Sequence, residues 1–140
     1  MRKITAFLLA ALFVLALSGC GSSKVKIDYG SSKLYTQEDM DAAIAVIKRE
    51  FATWHGCKLH KIYYVSDEDS SADNLAWMNE LAESSGLTEE MTECIKFESN
   101  FHSPRRGGGA WNPNREYTRW QWWLARSNGG KWHLLTWGYG

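Results

Sequence analysis

The stretch that decides the fold is the last part of the chain, residues 116–140, with the sequence EYTRWQWWLARSNGGKWHLLTWGYG. It holds five of the eight tryptophans of the protein. Large aromatic residues alternate with other residues on both sides of Asn128-Gly129-Gly130, a pattern typical of two antiparallel strands joined by a tight turn. Since a two-stranded ribbon is marginally stable alone in water, the rest of the chain must cover it.

The register of this predicted hairpin decides which tryptophans enter the core. A turn of two or four residues pairs Trp120 with Trp137, Trp122 with Leu135 and Leu124 with His133. One face then carries Trp120, Trp122, Leu124, Leu135 and Trp137, and the other carries Gln121, Trp123, Trp132, Leu134 and Thr136. A three-residue loop with a bulge would shift the parity and mix the faces. We prefer the first register because it separates the two sets better.

A helix beginning at Thr36 is the natural cover for the aromatic face. The Thr36 hydroxyl is a good N-cap, and acidic residues follow it in the first turn. An apolar stripe then recurs at spacings of four and three residues. Its members are Met40, Ile44, Ile47, Phe51 and Trp54. Gly56 ends the predicted helix.

Two further strands and a second helix lie between this helix and the hairpin. Residues 57–66 predict a strand, and a helix capped by Ser70 or Ser71 is expected to run to about Ser84. Residues 93–102 alternate: Ile95, Phe97 and Phe101 face a core, and Lys96, Glu98, Asn100 and His102 face water. Helices beside a mostly antiparallel sheet of about four strands make an α+β domain.

The N-terminus has the features of an export signal. Met1-Arg2-Lys3 is basic, residues 6–17 are apolar, and Leu17-Ser18-Gly19-Cys20 resembles the lipobox of bacterial lipoproteins. The resemblance implies that residues 1–19 are removed and that Cys20 is acylated, which anchors the protein to the cell membrane, facing outside the cytoplasm. The alternative is a secretory signal with an incidental cysteine. Residues 20–34 are expected to be a flexible tether, in which Val25-Lys26-Ile27 is an alternative short edge strand, and residues 35–140 one domain.

Charge argues against nucleic acid as a partner. Without residues 1–19 the chain keeps fourteen Lys and Arg against sixteen Asp and Glu. A weakly acidic protein has no electrostatic basis for binding nucleic acid. Residues 67–93 contain nine acids and no Lys or Arg, whereas residues 99–140 contain six basic residues and one acid. Either two surfaces of the domain complement each other, or a polarised surface orients the protein against a charged envelope polymer or protein partner.

The closing pattern Trp122-Trp123-Leu124, Gly130-Lys131-Trp132-His133-Leu134 and Gly138-Tyr139 resembles a known family. It is similar to uncharacterised small lipoproteins of Gram-positive, Clostridium-type bacteria. Their domain is cystatin-like or nuclear-transport-factor-2-like, with a curved sheet wrapped around a long N-terminal helix to form a cone. The resemblance leaves function open, because that superfamily includes enzymes as well as non-catalytic binding modules.

Cysteine and histidine give two predictions about chemistry. Cys57 and Cys94 lie near the starts of predicted strands, and a disulfide is feasible if those strands run parallel. The alternative is two separate buried thiols. His55, Cys57 and His60 do not have a recognised zinc-ligand spacing, so no metal site is expected. Arg105-Arg106 precedes three glycines without a following Lys-Ser or Lys-Thr pair, which favours a loop connecting strands.

No residue pair has a telling catalytic spacing. The acid–base candidates are scattered, namely Tyr63, Tyr64, Asp67, Glu98, His102 and His133. Flat aromatic faces that stay exposed can stack on sugar rings, and Trp111, Trp123 and Trp132 are the candidates for such stacking. We therefore expect a membrane-anchored binding or interaction module without a cofactor. The alternative is a small-molecule carrier or an enzyme that uses the cavity of the cone.

Overall fold

A computed structural model describes residues 24–139. Five strands form one open sheet in the order β1-β2-β3-β4-β5. Their bounds are Lys26–Asp28, Lys58–Tyr64, Glu93–His102, Glu116–Arg126 and His133–Gly138. The helices are α1, Gln37–Phe51, and α2, Ala72–Ser84, with a short 3₁₀ helix at Asp67–Ser70. β1 runs parallel to β2, and the other neighbours are antiparallel. The predicted α+β class is confirmed.

Both helices begin where the sequence predicts. Thr36 caps α1 in a reciprocal arrangement: the Asp39 N–H donates to Thr36 Oγ1, and the Thr36 N–H donates to Asp39 Oδ2. Ser71 caps α2 by accepting from the Asn74 N–H. α1 ends at Phe51, earlier than expected. The chain then turns through Gly56, whose φ of +81° suits glycine and where an added Cβ would lie 3.0 Å from Pro104.

The first face of the sheet packs against α1. Four residues of the predicted stripe, Met40, Ile44, Ile47 and Phe51, are buried here. They meet the fully buried side chains of Phe97, Phe101 and Trp122 from the two central strands. The space between α1 and the sheet is therefore filled by side chains, as expected for a close-packed interior.

The second face of the sheet packs against α2. Its core is smaller and consists of Met78, Ala82, Met91, Cys94, Trp123 and Ala125. The expectation that Lys96 and Glu98 face water is wrong, since they are only 8% and 7% exposed. β3 is the central strand, and the segment from the 3₁₀ helix through α2 covers its second face. Lys96 Nζ lies 3.0 Å from Asp69 Oδ1 in that segment.

The hairpin is present, but its predicted register is wrong. Trp122 pairs with Trp137 and Leu124 pairs with Leu134, with an irregularity between these two pairs. The extra residue on β5, Leu135, packs into the second core, whereas Leu134 contacts the first. The faces predicted for β4 and for Trp137 are correct, whereas Leu134, Leu135 and Trp132 lie opposite to expectation.

The turn of the hairpin is the one that the sequence indicates. Asn128 and Gly129 have φ values of 48° and 69°, and the Gly130 N–H donates to the Ser127 carbonyl at 2.9 Å. Two consecutive positive φ values are the geometry of a type I′ turn, which matches the twist of the flanking strands. The error in register therefore begins between the turn and His133, where β5 gains one residue relative to the prediction, and the bulge at Leu135 adds a second.

Two further expectations concern the N-terminal segment and the two cysteines. Lys26–Asp28 lie within the segment expected to be a tether, but they pair with β2, which is the edge-strand alternative. Cys57 and Cys94 are both free thiols. β2 and β3 are antiparallel, so the parallel arrangement required for a disulfide does not occur. Cys57 contacts the first core and Cys94 belongs to the second.

Candidate functional site: an aromatic patch at one end of the sheet

One end of the sheet collects aromatic side chains from several elements. α1 leads into the start of β2 at this end, β3 finishes here, β4 begins here and β5 finishes here. Trp54 follows α1, Trp111 lies in the loop between β3 and β4, and Trp137 and Tyr139 lie at the end of β5. Trp120 contacts Trp54, Trp111 and Tyr139, and Trp54 in turn contacts Trp137. We call these five residues the aromatic patch.

The rings of the aromatic patch contact one another directly. Trp54 and Trp111 have ring centroids 4.8 Å apart, and Trp54 and Trp137 are 6.1 Å apart. Trp120 lies 5.1 Å from Trp111 and 5.1 Å from Tyr139. These separations are those of favourable aromatic pairs. The patch is thus a single packed surface and not a set of unrelated side chains.

The outer members of the patch are open to solvent. Trp137 is 41% exposed and Tyr139 is 64% exposed, and Trp54 and Trp111 are half-buried. Trp137 also borders a groove of about 500 Å³ between α1 and β5, which Val46 and Leu134 line as well. Contiguous exposed apolar surface of this kind commonly marks an interaction site.

Trp120 supports the patch from below. It is 8% exposed, and its indole Nε1 has no hydrogen-bond partner among residues 24–139. The rings of Trp54, Phe101 and Tyr117 stand at 87°, 87° and 88° to it. Edge-to-face packing of this kind fixes ring orientation. The exposed rings are therefore held by a rigid aromatic base.

Of the three tryptophans predicted for ligand stacking, only Trp111 is in the patch. Trp132 is buried: its indole N–H donates to the Asp39 carbonyl at 3.0 Å, and the Arg126 guanidinium lies 4.3 Å from its ring centroid. Trp123 is 8% exposed and packs edge-on against Trp77. These two rings have no open face for a ligand.

Sequence reasoning missed Trp54, Trp137 and Tyr139 as surface residues. The sequence predicts Trp54 as part of the helix stripe, but α1 ends three residues before it. The sequence places Trp137 on the core face, and it does lie on that face, but α1 leaves it 41% exposed. The available signal was the Trp137-Gly138-Tyr139 alternation, which places two aromatic rings on one face at the end of a strand.

Charge separates the two ends of the domain. Exposed basic residues lie at the end that carries the patch, namely Lys24, Lys58, Arg105, Arg106 and Arg115. Acidic residues dominate the other end, where β2 finishes and α1 and β3 begin; they are Glu38, Asp39, Asp67, Glu68, Asp69 and Glu93. Some of the acidic segment also complements basic residues, because Asp69 pairs with Lys96 and Glu93 with Arg126.

A histidine–carboxylate group lies beside the patch end on the second face of the sheet. His102 Nδ1 is 3.0 Å from Glu116 Oε2, and His60 Nε2 is 3.6 Å from the same oxygen. His102 Nε2 lies 2.9 Å from Asn114 Oδ1. The hydrogen bond with Asn114, and then that with Glu116, raises the pKa of His102 above its ordinary value. The group connects β2, β3 and β4 at the surface.

The other acid–base candidates are dispersed. Tyr64 donates to Asp67 Oδ1 at 2.5 Å, and burial followed by this bond raises the pKa of Tyr64. Glu98 lies 3.9 Å from Arg119, and His133 lies 3.4 Å from Glu89. Tyr63 is half-buried beside Lys61, whose Nζ lies 5.0 Å from its ring centroid. No two of these pairs are brought together in one cleft of the described chain.

Residues 24–139 contain no group of three His, Cys, Asp or Glu side chains that could hold a metal ion. Burial, and then the nearby Asp69 carboxylate, raises the pKa of the Cys94 thiol to about 11. Within the same residues, no helix combines the length and apolar character needed to span a bilayer. Arg105 and Arg106 lie in a loop that connects β3 and β4, as predicted.

Comparison with protein-family models, curated proteins and solved structures finds no match to this chain. The predicted signal peptide, residues 1–19, and the predicted acylation site, Cys20, lie outside the described residues. The aromatic patch and the charge separation are therefore the observations on which a function can be argued.

Proposed function

We propose that this protein is a membrane-anchored lipoprotein that faces outside the cytoplasm and acts as a non-catalytic binding module. The aromatic patch is its binding surface. The observation that carries the proposal is the exposure of Trp137 and Tyr139 on a rigid aromatic base, at the end of a domain whose interior is filled. The partner is a component of the cell envelope.

The packing of the first face supports a surface site over an internal one. Carriers and enzymes of cone-shaped folds bind small molecules between helix and sheet, in pockets of several hundred Å³. Here Trp122, Phe97 and Phe101 occupy that space with no exposed surface. A ligand would have to displace them, at a cost of several kcal/mol each. The outer rings of the patch need no such displacement.

The anchoring part of the proposal depends on the sequence. The basic start, the apolar run and Leu17-Ser18-Gly19-Cys20 support acylation of Cys20. Stable membrane anchoring by lipid requires two signals, either two lipid chains or one chain together with a patch of basic residues. Mass spectrometry of Cys20 peptides from the membrane fraction tests this part, because an unmodified cysteine would contradict it.

Tryptophan fluorescence tests the binding part. Emission of the purified protein is recorded during titration with fractionated envelope material, both polymers and lipid vesicles. We expect one fraction to shift the emission of the wild type and of Trp77→Phe but much less that of Trp137→Phe. Trp77 is a matched control, since it is 39% exposed against 41% for Trp137 and packs beside Trp123 on the opposite face. Equal shifts in both variants would show that the aromatic patch is not the binding surface.

We also propose that the domain has a cystatin-like or nuclear-transport-factor-2-like cone fold. The position of α1 across one face of an antiparallel meander, β2 to β5, supports it. The second helix, α2, packs on the other face of the sheet and is additional to that expectation.

A further inference from the structure

We propose that the end of the domain that carries the aromatic patch lies against the surface of the membrane in which the protein is anchored. The exposed rings then sit at the level of the lipid headgroups, and the basic residues beside them contact lipid phosphates. This inference rests on the proposed function, because it requires the lipid anchor, and it names the partner of the same patch.

The path of the chain brings this end close to the anchor. β1 runs parallel to β2, with Lys26 beside Lys61, so the chain enters β1 from the end at which β2 begins. That is the end that carries the patch. Lys24 is four residues after Cys20 in the sequence, and four residues span at most about 14 Å. An acylated Cys20 therefore holds this end of the domain, and not the opposite one, near the bilayer.

The width of the sheet allows the patch to reach the same surface. β1 and β5 are the two edges of the sheet, four strand spacings apart, which corresponds to about 19 Å. A domain tethered at the β1 edge needs only to tilt on its short link for the β5 edge to meet the membrane. The patch extends along this end of the sheet from Trp111, in the loop between β3 and β4, to Tyr139, which follows the edge strand β5.

The chemistry of the exposed rings fits an interfacial position. Tryptophan and tyrosine combine an apolar body with a polar tip and are enriched where hydrocarbon meets headgroups. Trp137 and Tyr139 are the most exposed rings of the patch, at 41% and 64%. The rings beneath them are packed, so the surface presented is broad and shallow. A shallow surface suits a bilayer better than it suits a small ligand, which requires a concave pocket.

The charge distribution favours the same orientation. Arg105, Arg106 and Lys58 are exposed at the patch end. The acids at this end are engaged: Glu50 accepts from the Trp54 indole and Glu116 is bound to His102. Anionic lipids attract basic residues within about one Debye length and repel acidic ones. The acidic end of the domain is thereby turned away from the membrane.

An envelope glycan is the competing partner, since sugar rings also stack on flat aromatic faces. It explains the exposed rings equally well. It does not explain why the basic residues and the entry of the chain into β1 share one end with them. The membrane accounts for all three observations, and the glycan becomes an outcome of the test.

Quenching by brominated lipid provides the test. The full chain is expressed with its signal, purified in its acylated form and reconstituted into vesicles that contain phosphatidylglycerol and brominated phosphatidylcholine. Bromine quenches tryptophans that contact the bilayer. We expect quenching of the wild type and of Trp77→Phe, and about twofold less in Trp137→Phe, because Trp137 is at the interface and Trp77 is not.

A second pair of variants tests the charge contribution. Arg105→Glu with Arg106→Glu is expected to lower quenching in vesicles with phosphatidylglycerol and to leave it unchanged in vesicles of phosphatidylcholine alone. Lys33→Glu with Lys131→Glu is the matched control, since both lysines are exposed and lie at the opposite end, before α1 and before β5. This control is expected to behave as the wild type does.

Each contrary outcome has a distinct meaning. Acylated, vesicle-bound protein whose tryptophans are unquenched, or in which Trp77→Phe and Trp137→Phe lose quenching equally, overturns the docking inference and leaves the anchor standing. A Cys20 peptide without an acyl group overturns the anchor and the docking with it. Soluble envelope glycan that restores Trp137 emission in vesicles shows that a sugar polymer occupies the patch, and it overturns the membrane as its partner.

Discussion

The two faces of the sheet are covered by helices of similar length but in different ways. α1, with 15 residues, buries five of them on the first face, and α2, with 13 residues, buries two on the second. The first core is rich in aromatic residues and continues beyond the end of its helix into the aromatic patch. The second core has a single buried aromatic residue, Trp123, among methionines, alanines and Cys94, and a largely buried ion pair lies on the same face.

This difference places both the larger core and the aromatic patch on the first face of the sheet. On the first face, aromatic surface exceeds what α1 can cover, and the surplus forms the open patch at one end. On the second face, α2 covers the smaller apolar surface, and charged side chains occupy the remaining part of that face. We infer that the first face supplies most of the folding free energy as well as the proposed binding surface, because burial of aromatic area contributes strongly both to folding and to binding.

Truncating one buried side chain in each core is expected to have the largest effects on stability and to show which core contributes more. Trp122 of β4 is completely buried in the first core, and Met78 of α2 is completely buried in the second. We expect Trp122→Ala to lower the free energy of unfolding by about 3–5 kcal/mol and Met78→Ala by about 2–3 kcal/mol, because the tryptophan leaves the larger cavity. Urea denaturation followed by circular dichroism measures both. A loss at Met78 equal to or larger than that at Trp122 would contradict the larger contribution of the first face to stability.

The ion pair on the second face gives the next largest effect. Lys96→Met removes the ammonium that lies 3.0 Å from Asp69 Oδ1, and Asp69 Oδ2 is already without a partner among the described residues. We expect a loss of about 1–3 kcal/mol, since one charge is left unpaired. The double variant Lys96→Met with Asp69→Asn should recover part of the loss. A double variant less stable than Lys96→Met alone would show that the pair does not act as a unit.

Sequence reasoning predicted local elements well where capping and periodicity agree. Thr36 and Ser71 cap the two helices, and Glu93–His102 is the strand predicted. These signals lie within a few residues of the element that they define, so they do not depend on the rest of the fold. The Asn128-Gly129 turn belongs to the same class.

Errors arose where a distant segment decides the outcome. The alternation in β3 correctly places Phe97 and Lys96 on opposite faces, but it does not show that the 3₁₀ helix at Asp67–Ser70 would cover the lysine. An extra residue between the hairpin turn and His133 moved Trp132 from the expected open face to the first core. The same limitation applies to the aromatic patch. Its residues are spread from Trp54 to Tyr139, and only strand direction brings them to one end.

Loss of the N-cap of either helix is expected to have a smaller effect on stability. Thr36 and Asp39 exchange two hydrogen bonds at the start of α1, whereas Ser71 accepts one at the start of α2. We expect Thr36→Ala to cost about 1–2 kcal/mol and Ser71→Ala about 0.5–1 kcal/mol. Thermal unfolding of the two variants, with Thr36→Ser as the conservative control, measures the difference. A larger cost at Ser71 would mean that α2 depends on its cap more than α1 does.

The smallest expected effect concerns the part of the second face that α2 leaves uncovered. His102 follows Phe101 in β3 and therefore points to the second face, where it contacts Asn114 and Glu116. These contacts raise the pKa of His102 in the folded protein. Its contribution to stability is therefore complete below the unfolded pKa, about 6.5, and is lost as pH rises through the folded pKa.

Urea midpoints of the wild type and of His102→Gln, taken from pH 5.5 to 8.5, measure this contribution. The wild type should exceed the variant most at the acidic end of the range, and the difference should shrink as the pH increases. His60→Gln is the control, because it keeps His102 while removing the other histidine that faces Glu116. A difference that grows with pH would mean that the neutral imidazole is the form that the folded state prefers. The second face would then be stabilised at its open end by an uncharged hydrogen bond and not by an ion pair.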